Sequence, residues 1–407
     1  DFKAECLVRE DVYKAICAVF ENKEEMENMS PEDRRLVKSM EHEYRREGTA
    51  LCEDKRKELT KCKFRLAELE LTFTRNIDNH EGKALFTRGE LEGLPESYFT
   101  GRATKDIAGN TKFIVTTQPV DYFPLMNYAK LEATRRAMFL IQNTRCTDNL
   151  ELLDEAVKLR LEMAKILGYN THAEYALEPH MAKTPQAAYD MLAELRNNLT
   201  NLGRTELEEL ESLKRRDMEA VGRIYEGFNE WDRSFYTRML HKNKHSIDNN
   251  KVKCYFSLAT VIRGILEHYQ TTFGVKIVEM ENAKPDFALA PSQVLKNWAW
   301  NADALCKIAK HHETNEPIPQ DLVKQLLAAK NEGAGLVYLR HVFFAMYDLA
   351  INNSENGNVD VNSLFNTMNT DISLISCGAT KTSVVAKFSN FMKHNLASKY
   401  YAHLWSQ

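Results

Sequence analysis

The sequence predicts a predominantly α-helical protein, and three observations support that fold class. Of the 407 residues, 16 are glycine and 10 are proline, about 6% of the chain against roughly 12% in ordinary domains. Because turns and bulges depend on these residues, their scarcity favours long helices with few connections. Apolar residues recur three and four positions apart over long stretches, and only one short segment has the composition of a strand.

Composition and charge exclude several classes of protein. The net charge is −4, with 43% hydrophobic and 28% charged residues, which excludes disorder over the whole chain and disfavours nucleic-acid binding through a basic surface. The eight cysteines form no Cys-x-x-Cys pair, so we expect reduced thiols in a cytoplasmic protein. No run approaches 18 apolar residues, so no membrane-spanning helix is expected. The first residues show neither a signal-peptide nor a transit-peptide pattern.

Helix signals in the first part of the chain begin at Ser30, an N-cap residue followed by Pro31 at the first helical position. A long helical pattern follows and ends in a breaker-rich stretch from Gly89 to Gly109. Residues 112–117 are the best strand candidate. The second part of the helical pattern carries one apolar stripe, formed by Leu59, Cys62, Leu66, Leu69 and Phe73.

Helical patterns resume after Pro124. A stripe over residues 153–167 closes at Gly168, a predicted C′ residue, and Thr184 caps a helix that Gly203 is expected to break or kink. Further helices are predicted over residues 251–274 and from Ser292 through Trp300. A buried helix is predicted over Gly335–Ile351, and a last helix from Ser383 to the end, with a break near Asn395. Loops are predicted at 285–292 and 352–358.

The residues alone show no recognisable catalytic motif. His-Glu-x-x-His, which places two imidazoles on zinc with a glutamate as base, is absent, as are glycine-rich phosphate loops and nucleophile elbows. The His-Glu pairs at 42–43 and 312–313 lack the second histidine and are interpreted as surface residues. Four polar residues close in sequence are expected to make structural hydrogen bonds: His172, Glu174, Glu178 and His180.

An ordered series of short segments points to one family. Residues 167–175, Leu-Gly-Tyr-Asn-Thr-His-Ala-Glu-Tyr, precede Met-Ala-Lys-Thr at 181–184. Trp231-Asp232, Leu339-Arg340 and Tyr400-Tyr401 follow in the same order. Together these segments resemble the thimet oligopeptidase, neurolysin and saccharolysin family of zinc peptidases over nearly the whole chain. The resemblance implies a two-lobed helical body around a deep channel.

The sequence departs from that family at its zinc site. The resemblance implies a segment with a small sheet and a His-Glu-x-x-His helix, and this segment is missing between Lys276 and Asp286. Leu289 stands where the family has the third ligand, a glutamate, and an apolar side chain cannot bind zinc. Without these groups the Lewis acid and the general base are lost, so no metal cofactor is expected. The break reflects either a natural deletion or a stretch omitted from the sequence.

The family's C-terminal substrate-binding stretch is also altered. The resemblance assigns Phe388-Ser389-Asn390 to the family's Phe-Gly-His and residues 400–403 to its Tyr-Tyr-Gly-Tyr. The family's histidine and last tyrosine are therefore replaced by Asn390 and His403, whereas Tyr400 is retained. The candidate channel or ligand-binding residues are Tyr400, His403, Tyr401 and Asn390.

The sequence predicts three regions and leaves four functions open. The regions are an N-terminal helical region (1–110), an oligopeptidase-type helical lobe (111–280) and a helical remnant of the catalytic lobe (281–407). The preferred function is a non-catalytic homologue that binds a peptide or protein in the channel. The first alternative is an enzyme with metal-independent chemistry on a small molecule, in which His403 titrates near neutral pH. The second is a zinc oligopeptidase whose catalytic segment is absent from the sequence. The third is a scaffold that acts through its outer surface. None of them involves nucleic acid or a membrane.

Overall fold

Helices make up most of the described chain, which in this computed structural model comprises residues 9–105, 109–247, 249–276, 300–378 and 382–405. The predicted α-helical fold class is therefore confirmed. Short 3-10 helices span Glu96–Phe99 and Val384–Lys387. In chain order the α-helices are α1 Glu10–Glu21, α2 Lys23–Asn28, α3 Pro31–Glu47, α4 Glu53–Asn79, α5 Pro119–Tyr128, α6 Glu132–Asn143, α7 Asn149–Ile166, α8 His172–Leu177, α9 Pro185–Ala220, α10 Glu230–His245, α11 Asn249–Lys253, α12 Leu258–Phe273, α13 Ala302–Ile308, α14 Gln320–Ala329, α15 Ala334–Asn352, α16 Val361–Ser373, α17 Ser389–Met392 and α18 Ala402–Trp405.

A three-stranded antiparallel sheet lies between α4 and α5. Its strands are β1 (Lys83–Phe86), β2 (Ala103–Lys105) and β3 (Thr111–Thr116), with β3 in the centre. The strand predicted at 112–117 is thus confirmed, one residue earlier. Strands β1 and β2 were not predicted because segments of four and three residues are too short to show alternation. The sheet crosses the boundary expected after residue 110, and the division into three regions stays a prediction.

The sequence signals of the first helices are confirmed with one correction. The Ser30 hydroxyl accepts a hydrogen bond from the Asp33 amide at 3.1 Å and caps α3. The long helical pattern is interrupted at Gly48, whose φ of 92° ends α3 and separates it from α4. The predicted apolar stripe of α4 is buried and packs against α7, so this pair forms one wall of the main hydrophobic core.

Helices α9 and α15 approach each other closely at two glycines. Gly203 does not break α9, which runs for 36 residues. A Cβ atom on Gly335 would lie 2.8 Å from the backbone nitrogen of Gly203, so this crossing requires glycine. The carboxylate of Glu206 on α9 accepts hydrogen bonds from the amides of Gly335 and Leu336 at 3.1 and 2.9 Å. It satisfies amides that have no partner within the first turn of α15.

Helix α15 is the centre of the main core. It is buried as predicted, with Phe343, Phe344 and Tyr347 packing against Phe365 of α16. By length and composition alone, α15 could cross a bilayer, but 67% of its apolar window is buried inside the molecule. That burial is typical of a core helix.

Three further predictions of helix bounds need correction. Helix α5 begins at Pro119 and contains Pro124, instead of following it. The pattern over 251–274 is interrupted between α11 and α12, where the amides of residues 254–256 close a turn on residues 251–253 and the segment also pairs with residues 310–312. The single helix expected from Ser383 is replaced by short helical turns. The predicted loop at 285–292 and the start of the helix from Ser292 lie outside the described residues.

Replacing Gly335 by alanine tests the close crossing of α9 and α15. We expect Gly335→Ala to lower the free energy of unfolding by about 1–2 kcal/mol, because the new methyl group meets the backbone of Gly203 and overpacking outweighs the gain in helix propensity. Urea denaturation followed by circular dichroism measures the change.

Gly89→Ala is the matched control for that substitution. No heavy atom lies within 4 Å of a Cβ at Gly89, so its effect should stay within about 0.5 kcal/mol. Equal stability of the two variants would show that the helices do not meet as closely as the structure places them.

Candidate functional site

A cavity of about 670 Å³ opens between α5, α6, α10, α15 and α16. This volume falls within the roughly 300–1,000 Å³ of small-molecule and peptide side-chain pockets. Helix α10 contributes one face of it, because residues three and four apart on a helix lie side by side. These α10 residues are Glu230, Arg233, Ser234, Thr237, Arg238 and His241.

The buried carboxylate of Asp232 fixes the first turn of α10. Its Oδ1 accepts a hydrogen bond from Arg135 Nη2 of α6 at 2.7 Å, and its Oδ2 accepts one from Lys214 Nζ of α9 at 2.7 Å. The amide of Asn229 also donates to Oδ2, which completes a capping box. The three charged side chains are at most 1% exposed. One carboxylate therefore joins α6, α9 and α10 and sets the position of the cavity wall.

The described lining of the cavity carries an excess of positive charge. Glu230 Oε1 accepts hydrogen bonds from Arg340 Nη1 at 2.5 Å and from Arg233 Nη1 at 3.3 Å. Arg238 Nε donates to the backbone oxygen of Asn127 at 2.6 Å. With Lys387, four basic side chains face a single acidic one among the described lining residues. This imbalance favours a ligand with a carboxylate or another anionic group.

Two further lining groups, the amine of Lys387 and the thiol of Cys377, have shifted pKa values. Burial, with the nearby charges of Arg145 and Arg340, lowers the pKa of Lys387 to about 7. A substantial fraction of this amine is therefore neutral at physiological pH, and a neutral amine is nucleophilic. Burial raises the pKa of the Cys377 thiol to about 11, so this cysteine remains protonated and is a poor nucleophile or metal ligand.

Aromatic rings form the apolar part of the lining. Phe344 of α15 and Phe388 stack with their ring centroids 5.0 Å apart and their planes at 17°. The Arg340 guanidinium lies 5.3 Å from the centroid of the Phe344 ring. Apolar rings next to guanidinium groups suit a ligand that has both an apolar side chain and a negative charge.

Tyr400, the retained tyrosine, lies behind this aromatic wall. Its ring centroid is 5.6 Å from Phe344 and 6.1 Å from Phe388, which both line the cavity. Its hydroxyl lies 3.2 Å from Nδ1 of His341 and donates to it when that nitrogen is unprotonated. Tyr400 therefore supports the lining rings and is not itself among the lining residues of the cavity.

The other predicted site residues also lie outside that lining. His403 is exposed, with its ring 5.1 Å from Tyr400, and Tyr401 is buried against Trp405. Asn390 is partly buried on α17. Their contact with a ligand stays a prediction. Leu289, at the position of the family's third zinc ligand, lies outside the described residues.

Asp348 on α15 sets the course of the C-terminal segment. Its carboxylate accepts hydrogen bonds from the amides of Ser398 and Tyr400 at 3.0 and 3.1 Å. Burial raises the pKa of Asp348 to about 6, although these two hydrogen bonds and the charge of Arg160 act in the opposite direction. The amides of Ser398 and Tyr400 thus bond to a side chain and not to a helical backbone oxygen.

A second cleft, of about 420 Å³, contains two histidines of unusual environment. His172 is buried, and neither ring nitrogen has a hydrogen-bond partner within the described part of the chain. Its ring centroid lies 5.5 Å from that of His394. Burial and the charge of Arg160 hold the pKa of His172 well below its usual value and lower that of His394 to about 4. Both rings are therefore neutral at pH 7.

The structural hydrogen bonds predicted near His172 are confirmed for the two acidic residues. Glu178 accepts hydrogen bonds from the Tyr169 hydroxyl and from Arg46, and Glu174 accepts one from the amide of Asn170. For His172 the prediction is wrong, and Nε2 of His180 is likewise buried without a partner among the described residues. His172 is buried inside the helical body, whereas His180 is partly buried.

Comparisons with known proteins place the chain in a family. A sequence model described as Peptidase family M3 matches residues 125–288 and 282–407. The chain belongs to peptidase family M3. It is 23% identical to saccharolysin of Saccharomyces cerevisiae over 98% of this chain and 73% of that protein. It is 24% identical to the probable cytosolic oligopeptidase A of Arabidopsis thaliana over 84% of this chain and 66% of that protein.

A solved structure extends the likeness to the fold of this M3 chain. The crystal structure of oligoendopeptidase-F from Enterococcus faecium superposes with a TM-score of 0.50 at 13% identity. The match covers 95% of this chain and 67% of the other. At this identity the likeness concerns the fold alone.

The alignment of the M3 chain with saccharolysin is longer than the chain itself. The alignment with saccharolysin has 523 positions, which exceeds the 407 residues of this chain by 116. At least that many positions therefore hold residues of saccharolysin alone. The family model matches in two parts that meet at residues 282–288, the region in which the sequence comparison above places the missing segment.

Zinc, which the family resemblance implies, does not fit the described lining of the cavity. The lining offers three side chains of ligand type: Glu230, His241 and Cys377. Glu230 is paired with arginines, and the Cys377 thiol is protonated. His241 and His245 stand one turn apart on α10, but their ring centroids are 6.3 Å apart and His245 pairs with Glu332 at 3.0 Å. No step of chemistry through zinc follows from these residues.

The sequence analysis missed the cavity-lining residues of α10. Trp231-Asp232 carries part of the family resemblance, but the motif does not identify its neighbours on α10, Glu230 and Arg233, as cavity residues. A usable signal was present, since polar residues recur three and four apart from residue 230 to 241. Such a stripe is also typical of an exposed helix face, so it did not identify a cavity.

Replacing Asp232 tests the anchoring of α10. We expect Asp232→Asn to lower the free energy of unfolding by about 3–5 kcal/mol, because Arg135 and Lys214 keep their buried charges without their shared partner. Urea denaturation followed by tryptophan fluorescence measures it.

Asp371→Asn is the matched control for Asp232→Asn. Asp371 pairs with Arg196 at 2.9 Å, but it is 64% exposed, so its loss should change the stability by at most about 1 kcal/mol. A similar effect of the two substitutions would contradict the role assigned to Asp232.

Proposed function

We propose that this chain is a non-catalytic member of peptidase family M3 that binds short peptides in the 670 Å³ cavity. The observation that carries the proposal is the cavity lining. It combines stacked aromatic rings with four basic side chains and one acidic one, and its described residues provide no set of zinc ligands. Such a site can hold a peptide without activating water against it.

The sequence supports the loss of catalysis independently of the cavity. His-Glu-x-x-His is absent from all 407 residues. The two-part family match and the longer alignment with saccharolysin agree with a missing segment near residues 277–288. Leu289 at the third ligand position supports the same interpretation. An active peptidase whose catalytic segment is absent from the sequence would match the family equally well, and an assay of peptide cleavage separates the two.

The charges of the cavity define the preferred peptide. Arg340 is 37% exposed and is the most accessible member of the Glu230 ion pair. A free C-terminal carboxylate can accept two parallel hydrogen bonds from a guanidinium group, and an apolar side chain next to it can pack on Phe344 and Phe388. We therefore expect short peptides with an apolar last residue and a free carboxylate to bind better than amidated ones.

Arg340→Gln tests this peptide site. A fluorescein-labelled pentapeptide ending in leucine should bind at least about tenfold more weakly to the variant, since a charge-assisted hydrogen bond contributes roughly 1.5–3 kcal/mol. The amidated peptide should bind the wild type and the variant about equally. Fluorescence anisotropy gives the Kd, and mass spectrometry of the same samples reports cleavage.

Arg196→Gln is the matched control, because Arg196 is a partly exposed, ion-paired arginine that does not line the cavity. It should bind both peptides like the wild type. Undiminished binding of the carboxylate peptide by Arg340→Gln would rule out the proposed site, and cleavage of either peptide would rule out the non-catalytic function.

A second candidate function, metal-independent chemistry on a small carbonyl compound, is favoured by Lys387. This lysine lines the cavity and has a pKa of about 7. Its neutral amine can attack a carbonyl carbon, lose its two protons and release the carbonyl oxygen as water, which leaves an imine. For this second function we propose Lys387 as the reactive group in preference to His403, which is exposed and does not line the cavity.

Reductive trapping tests this second function. Benzaldehyde and cyanoborohydride at pH 7 should label Lys387 at least about tenfold faster than Lys393, because a pKa of about 7 leaves about half of the Lys387 amine neutral at this pH. Peptide mapping by mass spectrometry measures the label at both sites, and Lys387→Arg should abolish the fast phase. Equal labelling of the two lysines would exclude Lys387 as the reactive group.

The cellular setting remains part of the proposal. We propose a cytoplasmic location without a nucleic-acid or membrane partner. The name of one relative, a probable cytosolic oligopeptidase A, supports the location, and the net charge of −4 agrees with the absence of a nucleic-acid partner.

A further inference from the structure

Three side chains that can bind metals meet although Cys254 is distant in sequence from the adjacent pair His311-His312. They are Cys254, His311 and His312. One ligand atom of each, the thiol sulfur or a ring nitrogen, lies within 4.8 Å of those of the other two. Among the histidine, cysteine and carboxylate side chains of the described residues, these three form a group close enough together to hold one ion. None of the three lines the peptide cavity.

The main chain holds this group in place. The amide of His312 donates to the backbone oxygen of Cys254 at 2.9 Å, and that of His311 donates to the backbone oxygen of Glu316 at 2.8 Å. Next to these bonds, Phe256 pairs with Lys310 in a parallel bridge. The three ligands are thus held by backbone hydrogen bonds and an isolated β-bridge between the two segments, which reduces the entropy lost when an ion binds.

The combination of donors is selective for particular ions. One thiolate and two imidazoles are borderline-soft ligands that suit Zn²⁺ and disfavour Ca²⁺ and Mg²⁺, which prefer oxygen. Three protein ligands leave the fourth tetrahedral position for water. His312 is exposed, so an ion can reach the site from solvent. We propose that Cys254, His311 and His312 form a binding site for a zinc-class divalent ion.

His311 must change its hydrogen bonds when the ion binds. Its Nδ1 accepts hydrogen bonds from the amides of Glu313 and Thr314 at 3.3 and 3.4 Å. If Nδ1 ligates the ion, its lone pair is no longer available, and if Nε2 ligates it, Nδ1 carries the proton. In both cases the two bonds are lost, but both are at the long end of the accepted range and therefore weak.

The ion would stabilise the region around residues 302–329, whose hydrophobic cluster contains only four buried residues. Four buried apolar residues, Leu305, Ala309, Ile318 and Val323, form the cluster beside the site. The ion ties the turn after α11 to the segment between α13 and α14, which frame this cluster. Binding only to the folded state raises its stability by mass action. The proposed role is therefore structural and does not depend on the peptide site.

Metal titration of the full chain tests the site. After treatment with a chelator, the wild type should bind one Zn²⁺ in calorimetry, with a rise in Tm, and Co²⁺ should give a thiolate-to-cobalt charge-transfer band. Cys254→Ser and His312→Ala should each weaken Zn²⁺ binding by at least about tenfold, because even residues that only support metal ligands contribute 10–100-fold. Cys254→Ser should also lose the cobalt band.

Cys306→Ser is the matched control, because Cys306 lies on α13 in the same part of the chain but outside the group of three. It should keep the cobalt band and the wild-type affinity. His312 is exposed, so His312→Ala is expected to fold even if Cys254→Ser does not, and circular dichroism checks both. No saturable binding of Zn²⁺ by the wild type, or unchanged binding by a folded Cys254→Ser or His312→Ala, would overturn the proposal.

Discussion

The carboxylate of Asp232 is the constraint on which the candidate site depends. It lies between two buried cations, Arg135 of α6 and Lys214 of α9, and at the first turn of α10. Burying one such charge without partners is strongly unfavourable, so the Asp232 carboxylate stabilises both cations in the interior, and Glu132 adds a second partner for Lys214 at 3.0 Å. Each helix is therefore held at a fixed distance from the other two. Because α10 carries one face of the cavity and α6 another, this ion cluster determines the cavity's shape.

A second buried carboxylate does the same for the C-terminal segment. Asp348 takes the amides of Ser398 and Tyr400 as hydrogen-bond donors and thereby keeps this segment against α15. Arg160 of α7 also contacts this segment, since its Nη2 donates to the backbone oxygen of Met392 at 2.6 Å. Tyr400, held in this way, packs behind Phe344 and Phe388. The aromatic wall of the cavity is thus supported from outside by residues that do not line it.

Local patterns in the sequence predicted much of the fold. The apolar stripe of α4, the Ser30 and Thr184 caps and the buried α15 depend on neighbours along one helix, and all of them are present. Two of the errors concern segments whose main chain bonds to distant partners. Residues 254–256 bond to 310–312, and residues 398–400 bond to Asp348. Propensity along the chain contains no information on such contacts.

The site was less predictable than the fold, for a related reason. Motifs and the family resemblance identify which zinc ligands are missing, because those ligands occur at fixed spacings. They do not identify the groups that line the cavity, because these come from five helices between residues 119 and 373 and from the turn around Lys387. The charge excess and the lowered pKa of Lys387 arise only when these helices pack together.

Membership in peptidase family M3 and the absence of His-Glu-x-x-His lead to opposite expectations about catalysis. Native mass spectrometry of the full chain, with added zinc and a mixed library of short peptides, tests them most directly. The account predicts that uncleaved peptides remain bound to the protein, with or without a chelator. Cleaved peptides whose formation a chelator abolishes would contradict it.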